Sequence, residues 1–282
     1  MIEAMYYKKI KNQSIVCQLC PHMCVIPPGD LGICRVRENI DGNLYSLNYG
    51  KIASYNHDRI EKKPLYRFHP GTHIFSLGSF GCNLKCSFCQ NWRIAHENPP
   101  TREISDRDLI SLAKSKNSIG IAYTYNEPTI WYEYVYHLSK KAKEAGLVNV
   151  LVTNGYINPE PLEEILPYID AMNIDLKSMS NDFYQDICQG RLNPVLKTIE
   201  RATRSIHIEV TTLLIEGLNT NLEEVRGLAK FLGQINRDIP LHLSRYFPAY
   251  KMNLPATKVE TIIKSTDEAR KYLNYVYMGN VF

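Results

Sequence analysis

Hydrophobic and polar positions follow two alternating patterns from about residue 72 onward. Short apolar runs rich in β-branched and aromatic residues alternate with longer stretches of helical periodicity, which are typical of buried strands and amphipathic helices respectively. The predicted strands cover 73–80, 119–125, 148–153, 171–176, 206–215 and 241–246. The predicted helices cover 105–116, 129–145, 159–166, 194–205, 222–236 and 258–272.

Strands that alternate with helices predict βαβ units and a parallel sheet. Six such units favour an α/β fold built as a partial (β/α)6, TIM-like barrel, which we place over 71–282. The residues before 71 differ, since they combine glycines, four cysteines and short strand-like pieces such as 44–49. They predict a small Cys-rich N-terminal module over 1–70, held by metal because so short a segment buries little apolar surface.

The composition is that of a chain with a substantial core. Of 282 residues, 44% are hydrophobic and 22% are charged, which excludes disordered, collagen-like and low-complexity proteins. The net charge of +4 is too mild to indicate a nucleic-acid partner. No apolar run is long enough to span a membrane, and the N-terminus lacks the apolar stretch of a signal peptide, so we expect a cytoplasmic protein with no membrane partner.

Seven of the eight cysteines fall into two tight groups. In a reducing cytosol such groups are more often metal ligands than disulfides. The eighth, Cys188, stands alone. We expect it to be a small buried hydrophobic side chain, with a functional thiol as the alternative.

The second of these groups contains Cys82, Cys86 and Cys89, in the segment SFGCNLKCSFCQNW directly after the first predicted strand. Three thiolates from one loop can hold three irons of a cubane iron–sulfur cluster and leave the fourth iron open. Active sites of barrels lie at the C-terminal ends of their strands, where this loop begins. A structural zinc site would need a fourth ligand, for which His96 is the alternative candidate.

The C-x3-C-x2-C spacing, with the aromatic Phe88 before the last cysteine, resembles the signature of radical S-adenosylmethionine (SAM) enzymes. The resemblance implies a [4Fe–4S] cluster whose open iron chelates the methionine portion of SAM. One electron from the cluster would cleave SAM to a 5′-deoxyadenosyl radical, which abstracts hydrogen from a substrate. It implies an oxidoreductase that takes electrons from reduced flavodoxin or ferredoxin.

Two further segments resemble motifs of the same enzymes. TYNEPT stands where the family has Gly-Gly-Glu-Pro, although both glycines are replaced, and implies that Glu127 and Asn126 receive the ammonium group of SAM. VTNGY is similar to the Thr-Asn-Gly turn of pyruvate formate-lyase activating enzymes and implies that Thr153 and Asn154 bind the cofactor. Those relatives carry an Asp for a monovalent cation where this chain has Val152, so we expect no such cation site.

The later strands carry two more matches. NIDLKSM resembles the Asp-Leu-Lys segment of the activating enzymes and places Asp175 and Lys177 on one side of a strand end, with Lys177 able to pair with the carboxylate of SAM. LHLSRYFP offers His242 and Arg245 for the ribose or adenine of the cofactor, with a core histidine as the alternative for His242.

The first cysteine group has the spacing C-x2-C-x3-C-x9-C and consists of Cys17, Cys20, Cys24 and Cys34. Four thiolates predict a closed tetrahedral site, which could hold structural zinc or a second iron–sulfur cluster. His22 is an alternative ligand, and unmetallated thiols are the alternative to a metal site.

The segments CQLCPHMC…GICRVREN, EKKPLYRFHPGT and GCNLKCSFCQNW together resemble the radical SAM member of the AmmeMemoRadiSam group, which is similar over the barrel to glycyl-radical enzyme activating enzymes. That resemblance implies hydrogen abstraction from a protein, such as from a glycyl residue. The first alternative is radical modification of a small molecule or metabolite with a Memo-like partner. The second is a non-catalytic zinc-binding interaction module.

Overall fold

The first part of the chain forms short antiparallel strands. The structure, a computed structural model, describes residues 1–281, so residue 282 of the predicted barrel segment lies outside it. The first seven strands are β1 (Ile2–Glu3), β2 (Tyr7–Lys9), β3 (Ile15–Cys17), β4 (Val25–Ile26), β5 (Arg37–Ile40), β6 (Asn43–Ser46) and β7 (Lys51–Ile52). One sheet has the order β1-β6-β5 and another the order β2-β3-β4.

A large sheet forms the centre of the molecule. The remaining strands are β8 (Ser54–Arg59), β9 (His73–Gly78), β10 (Arg102–Glu103), β11 (Gly120–Tyr123), β12 (Val148–Thr153), β13 (Ala171–Asp175), β14 (His207–Leu214), β15 (Leu241–Arg245) and β16 (Val276–Gly279). The order in the eight-stranded sheet is β16-β15-β14-β13-β12-β11-β9-β8, while β10 pairs with β7. All neighbours from β9 to β16 in this sheet are parallel, and β8 is antiparallel to β9.

Helices follow the parallel strands, six of them as the periodicity predicts and a short first one that it does not predict. They are α1 (Trp92–His96), α2 (Asp106–Ser115), α3 (Tyr132–Glu144), α4 (Pro159–Ile165), α5 (Leu192–Ala202), α6 (Leu222–Ile235) and α7 (Val259–Ala269). Every residue of β11 is buried, as expected for a strand covered by helices on one face and by the barrel interior on the other. None of the helices in residues 1–281 has the length and apolar character needed to cross a bilayer.

The predicted partial barrel is confirmed as an α/β fold with a parallel sheet, and two strands are added to it. β16 is a short strand of mixed burial, which its sequence does not reveal as part of the barrel. β8 comes from the N-terminal side of the predicted boundary, which therefore falls between two adjacent strands of one sheet. Within the described chain the outer strands β8 and β16 do not pair with each other, so the sheet stays open along one side.

Candidate functional site

A cavity of about 360 Å³ lies at the C-terminal ends of the parallel strands. Parallel strands present these ends along one edge of the sheet, so motifs far apart in the sequence meet there. The predicted site residues that line the cavity are Cys82, Cys86, Phe88, Cys89, Asn126, Glu127, Thr153, Asn154, Asp175 and Lys177. The structure thus brings together the motifs that follow β9, β11, β12 and β13.

The loop that carries the cysteines is fixed by Asn126. Its side-chain Oδ1 accepts a hydrogen bond from the backbone amide of Ser79 at 2.9 Å, and its Nδ2 donates to the carbonyl of Gly81 at 3.2 Å. The amide of Gly81 in turn donates to the carbonyl of Ile94 at 2.9 Å. Asn126 therefore holds the backbone immediately before Cys82.

Backbone amides face the sulfur atoms of this loop. The amide of Leu84 donates to Cys82 Sγ at 3.4 Å, and the amide of Asn91 faces the Cys89 thiol. Burial raises the pKa of Cys82 well above its usual range and the pKa of Cys89 to about 11. The amides oppose that effect because they stabilise the thiolate, the form that binds metal.

A fourth thiol lies beside the cysteine loop. Cys188 is fully buried, and a hydrogen bond between the two side chains lowers the pKa of Cys86 and raises that of Cys188. The backbone brings them together, since Lys85 donates to the carbonyl of Cys188 at 2.9 Å and Ser87 to that of Ile187 at 3.0 Å. The expectation of burial is confirmed, whereas the contact with Cys86 has no signal in the sequence spacing.

Glu127 joins the ends of two strands. Its carboxylate accepts hydrogen bonds from Thr153 Oγ1 at 2.6 Å, the Asn154 amide at 2.8 Å and the Thr129 amide at 2.9 Å. Burial raises its pKa, and these hydrogen bonds oppose the rise. The Asn154 side chain donates through Nδ2 to Asn83 Oδ1 at 2.9 Å and lies 3.7 Å from Cys82 Sγ. Glu127 thus places the Thr153–Asn154 turn against the cysteine loop.

Asp175 and Lys177 supply paired charges to the cavity wall. Lys177 Nζ lies 3.0 Å from Asp175 Oδ2 and 5.8 Å from the centroid of the Phe88 ring. Burial alone would lower the pKa of Lys177, but Asp175 and the nearby thiols raise it well above its usual range. Lys177 therefore presents a cation beside the cysteines, where an anionic group can be bound.

The structure does not bring His242 and Arg245 into this cavity lining. His242 is buried, and its Nε2 lies 2.6 Å from Glu209 Oε2. Arg245 donates through Nε to the carbonyl of Thr257 at 2.6 Å, and its guanidinium lies 4.8 Å from the centroid of the Phe247 ring. Side chains alternate along a strand, so Arg245 lies on the face opposite Ser244, the β15 residue that lines the cavity. His242 lies on the same face as Ser244, two residues earlier, and lines the adjoining cavity instead.

Sequence reasoning missed several lining residues at or just after the ends of β8, β11, β15 and β16. They are Lys62, Lys63, Tyr125, Ser244 and Asn280. Lys63 Nζ lies 2.8 Å from Asp58 Oδ2, which also accepts a hydrogen bond from Tyr125 at 2.8 Å. Lys62 and Lys63 lie in the quoted segment EKKPLYRFHPGT, but nothing in the spacing relates β8 to the cysteine loop.

The donors at the cysteine loop fit a cubane iron–sulfur cluster. Three thiols of one loop line one cavity, and thiolate is the ligand that iron–sulfur clusters prefer. Within residues 1–281 no three His, Cys, Asp or Glu side chains stand close enough to hold a single metal ion. A cubane does not require that convergence, because each thiolate binds a different iron.

Comparisons with known proteins relate the chain to one family. Residues 77–232 match the Radical SAM superfamily. The chain is 43% identical over its whole length to "Uncharacterized protein MJ0808" of Methanocaldococcus jannaschii, of which the match covers 86%. It is 26% identical to a pyruvate formate-lyase-activating enzyme of Clostridium pasteurianum, over 68% of this chain and 85% of that protein.

A solved structure shares the fold. The crystal structure of a domain of pyruvate-formate lyase-activating enzyme from Bacteroides vulgatus superposes with a TM-score of 0.51 at 23% identity, over 57% of this chain and 99% of that chain. Members of the matched superfamily use a [4Fe–4S] cluster and SAM. From the cavity, its three cysteines and these similarities together, the chain belongs to the Radical SAM superfamily.

Proposed function

We propose that this radical SAM enzyme is an oxidoreductase that abstracts hydrogen from a peptide segment of a partner protein, in the manner of a glycyl-radical enzyme activating enzyme. The bound cluster and SAM supply a 5′-deoxyadenosyl radical. The chain positions them, excludes water and admits the substrate. A second cavity that adjoins the cysteine cavity at the open side of the sheet is the observation that carries the proposal.

The second cavity has a volume of about 620 Å³. It shares with the cysteine cavity Lys62, Lys63, Tyr125, Ser244 and Asn280. Its other lining includes Asn56 and Asp58 of β8 and Gly279 of β16, the two outer strands of the open sheet. Because these strands do not close the barrel in the described chain, a segment of another protein can approach the cysteines from this side.

The outer strands also favour an extended peptide as the occupant. Within the described sheet, β8 pairs only with β9, and β16 pairs only with β15. Each therefore has an outer edge of backbone donors and acceptors that the sheet does not use. An extended peptide can pair with such an edge and direct alternate side chains into an adjacent pocket.

Within this function we assign the predicted cofactor residues by their contacts. Lys177, oriented by Asp175, binds the carboxylate of SAM. Glu127 and Asn126 act chiefly by holding the turn and loop that carry Asn154 and Cys82. Reduced flavodoxin or ferredoxin is the electron donor. The N-terminal cysteine segment supports membership of the AmmeMemoRadiSam group.

The test measures deuterium transfer into 5′-deoxyadenosine. Anaerobically reconstituted enzyme receives dithionite, SAM and an extract of host cells grown in deuterated medium, separated into macromolecules and small-molecule filtrate. We expect deuterated 5′-deoxyadenosine with the macromolecular fraction, and we expect prior protease treatment of that fraction to remove it. The Cys86→Ala variant, which lacks one thiol of the loop, should form no 5′-deoxyadenosine, whereas the neighbouring Ser87→Ala variant should.

Deuterium gained only with the filtrate would overturn the peptide proposal and favour a metabolite substrate handled with a Memo-like partner. Deuterium gained from macromolecules after protease treatment but lost after nuclease treatment would likewise contradict it. Equal formation of 5′-deoxyadenosine by Cys86→Ala and the unmodified chain would remove the cysteine loop from the chemistry altogether.

A further inference from the structure

The four N-terminal cysteines form one group in space. Cys17 ends β3, Cys20 and Cys24 lie in the turn before β4, and Cys34 lies in the loop between β4 and β5. The Cys17 amide donates to the carbonyl of Cys24 at 2.9 Å, which closes the turn. Cys17, Cys20 and Cys34 are buried and Cys24 is half-buried, and the Cys20 thiol interacts electrostatically with the other three.

Backbone amides face these thiols in the same way as at the cysteine loop. The amide of His22 faces the Cys20 thiol and the amide of Val36 faces the Cys34 thiol, each from two residues further along the chain. Leu84 stands in the same relation to Cys82. An inert buried thiol has no need of such donors, whereas a metal-bound thiolate is stabilised by them.

A buried cation lies beside the group. Arg37 is fully buried, and its guanidinium interacts electrostatically with Cys17 and Cys34. Its Nη2 pairs with Glu133 and its Nη1 donates to the carbonyl of Met5 at 2.9 Å. Its Nε is buried without a hydrogen-bond partner within the described residues, as is Oε2 of its ion-pair partner Glu133. The buried guanidinium is a cation beside Cys17 and Cys34, where it would stabilise an anionic metal–sulfur centre.

The group packs directly against the backbone on both sides of Cys82. A Cβ atom at Gly81 would lie 2.9 Å from the carbonyl oxygen of Cys34, so these two backbones are in close contact. On the other side of Cys82, His22 Nε2 lies 2.7 Å from the carbonyl oxygen of Asn83. His22 therefore contacts the cysteine loop, and the four thiols are the donors that remain for a metal.

From this arrangement we infer that Cys17, Cys20, Cys24 and Cys34 hold a second iron–sulfur cluster of the cubane type, seated behind the loop that carries Cys82. Four thiolates complete the ligand set of a cubane, so this cluster has no open iron. No three of these thiols converge on a single ion position in residues 1–281, and a cubane does not need that convergence because each thiolate binds a separate iron. The site is structural, and it fixes the N-terminal module to the barrel.

The experiment measures the metal content of a variant that lacks the three thiols of the cysteine loop. The Cys82→Ala/Cys86→Ala/Cys89→Ala variant is reconstituted anaerobically with ferrous iron, zinc and sulfide, and its iron, zinc and acid-labile sulfide are measured per chain. We expect about four irons with about four sulfides and a cluster absorption spectrum. Addition of Cys20→Ser and Cys34→Ser should remove them. Addition of Val25→Ser, an exposed position next to Cys24, should not.

A second measurement uses the unmodified holoenzyme and does not depend on the folding of the variants. Anaerobic alkylation with iodoacetamide, read by mass spectrometry, should leave the half-buried Cys24 unmodified until iron is removed with a chelator. A variant that contains zinc without sulfide would overturn the second cluster. So would a variant that contains no metal together with alkylation of Cys24 in the holoenzyme. Neither measurement involves a substrate, so its failure is separate from any failure of the proposed function.

Discussion

Glu127 Oε2 accepts a hydrogen bond from the backbone amide of Asn154 at 2.8 Å, and this contact joins the end of β11 to the end of β12. The Asn154 side chain then reaches Asn83 and the sulfur of Cys82. The TYNEPT and VTNGY segments, which the sequence relates to SAM separately, are therefore also hydrogen-bonded to each other. Their joint position depends on a carboxylate buried among hydrogen-bond donors.

Replacement of Glu127 by glutamine should disturb this junction. An amide has one accepting atom where the carboxylate has two, so either the Asn154 amide or the Thr153 hydroxyl loses its acceptor. We expect a loss of about 1–3 kcal/mol in the free energy of unfolding and weaker SAM binding. Denaturant unfolding and equilibrium binding of SAM measure the two effects. Glu144→Gln, at an exposed position of α3, is the control, and equal behaviour of the two variants would contradict the assignment.

Glu209 should make stability depend on acidic pH. Burial alone would raise its pKa, but hydrogen bonds from His207, His242 and the amides of Tyr66 and Arg67 lower it from 4.5 to about 2. A carboxyl group whose pKa is lowered by folding stabilises the folded chain at pH values above its unfolded pKa. That stabilisation is lost as the pH falls through the folded pKa. We therefore expect about 3 kcal/mol to be lost from this group between roughly pH 5 and pH 2.

The measurement is urea unfolding across that pH range. Glu209→Gln should be less stable than the unmodified chain at pH 7 and should lose less stability on acidification. Glu200→Gln, at an exposed position of α5, should keep the full pH dependence. If the free energy of unfolding changed with pH in the same way for the unmodified chain and for Glu209→Gln, the Glu209 contacts would not be the cause of the pH dependence.

Cys188 should raise the reduction potential of the cluster through its contact with Cys86. A hydrogen bond to a ligating sulfur stabilises the reduced, more negatively charged cluster, and so raises its reduction potential. We expect Cys188→Ala to shift the midpoint potential to a more negative value and Cys188→Ser, which keeps a donor, to restore much of the shift. An anaerobic redox titration followed by electron paramagnetic resonance measures the potential. The same potential in all three proteins would exclude this role.

Gly81 should tolerate no side chain. Its φ of +89° favours glycine, and an added Cβ would lie 2.7 Å from Val36 Cγ1. Gly146 has a similar φ of +78° with nothing within 4 Å of an added Cβ, so Gly146→Ala reports the backbone cost alone, about 1–2 kcal/mol. Gly81→Ala should cost more than Gly146→Ala in denaturant unfolding. Equal losses would mean that the contact between the N-terminal module and the cysteine loop can relax without cost.

Much of the fold could be predicted because its signals are local. The runs that form β12 and β13 are short and apolar, and helical periodicity follows each of them, so alternation predicted the parallel sheet. β16 has mixed burial and β8 is polar on its exposed positions, so neither shows the apolar run that made the other strands visible. Their place in the sheet depends on pairing with distant strands.

By itself, the sequence determined that one loop offers three thiolates, Cys82, Cys86 and Cys89, and its resemblance to the family signature implied radical SAM chemistry. It also determined which segments follow strand ends, since strand periodicity is local. Only the tertiary structure decided that Cys188 contacts Cys86 and that His242 hydrogen-bonds Glu209. It also decided that the N-terminal cysteines lie behind the cysteine loop. These are contacts between residues far apart in the chain. They depend on the packing of whole elements, which no local pattern encodes.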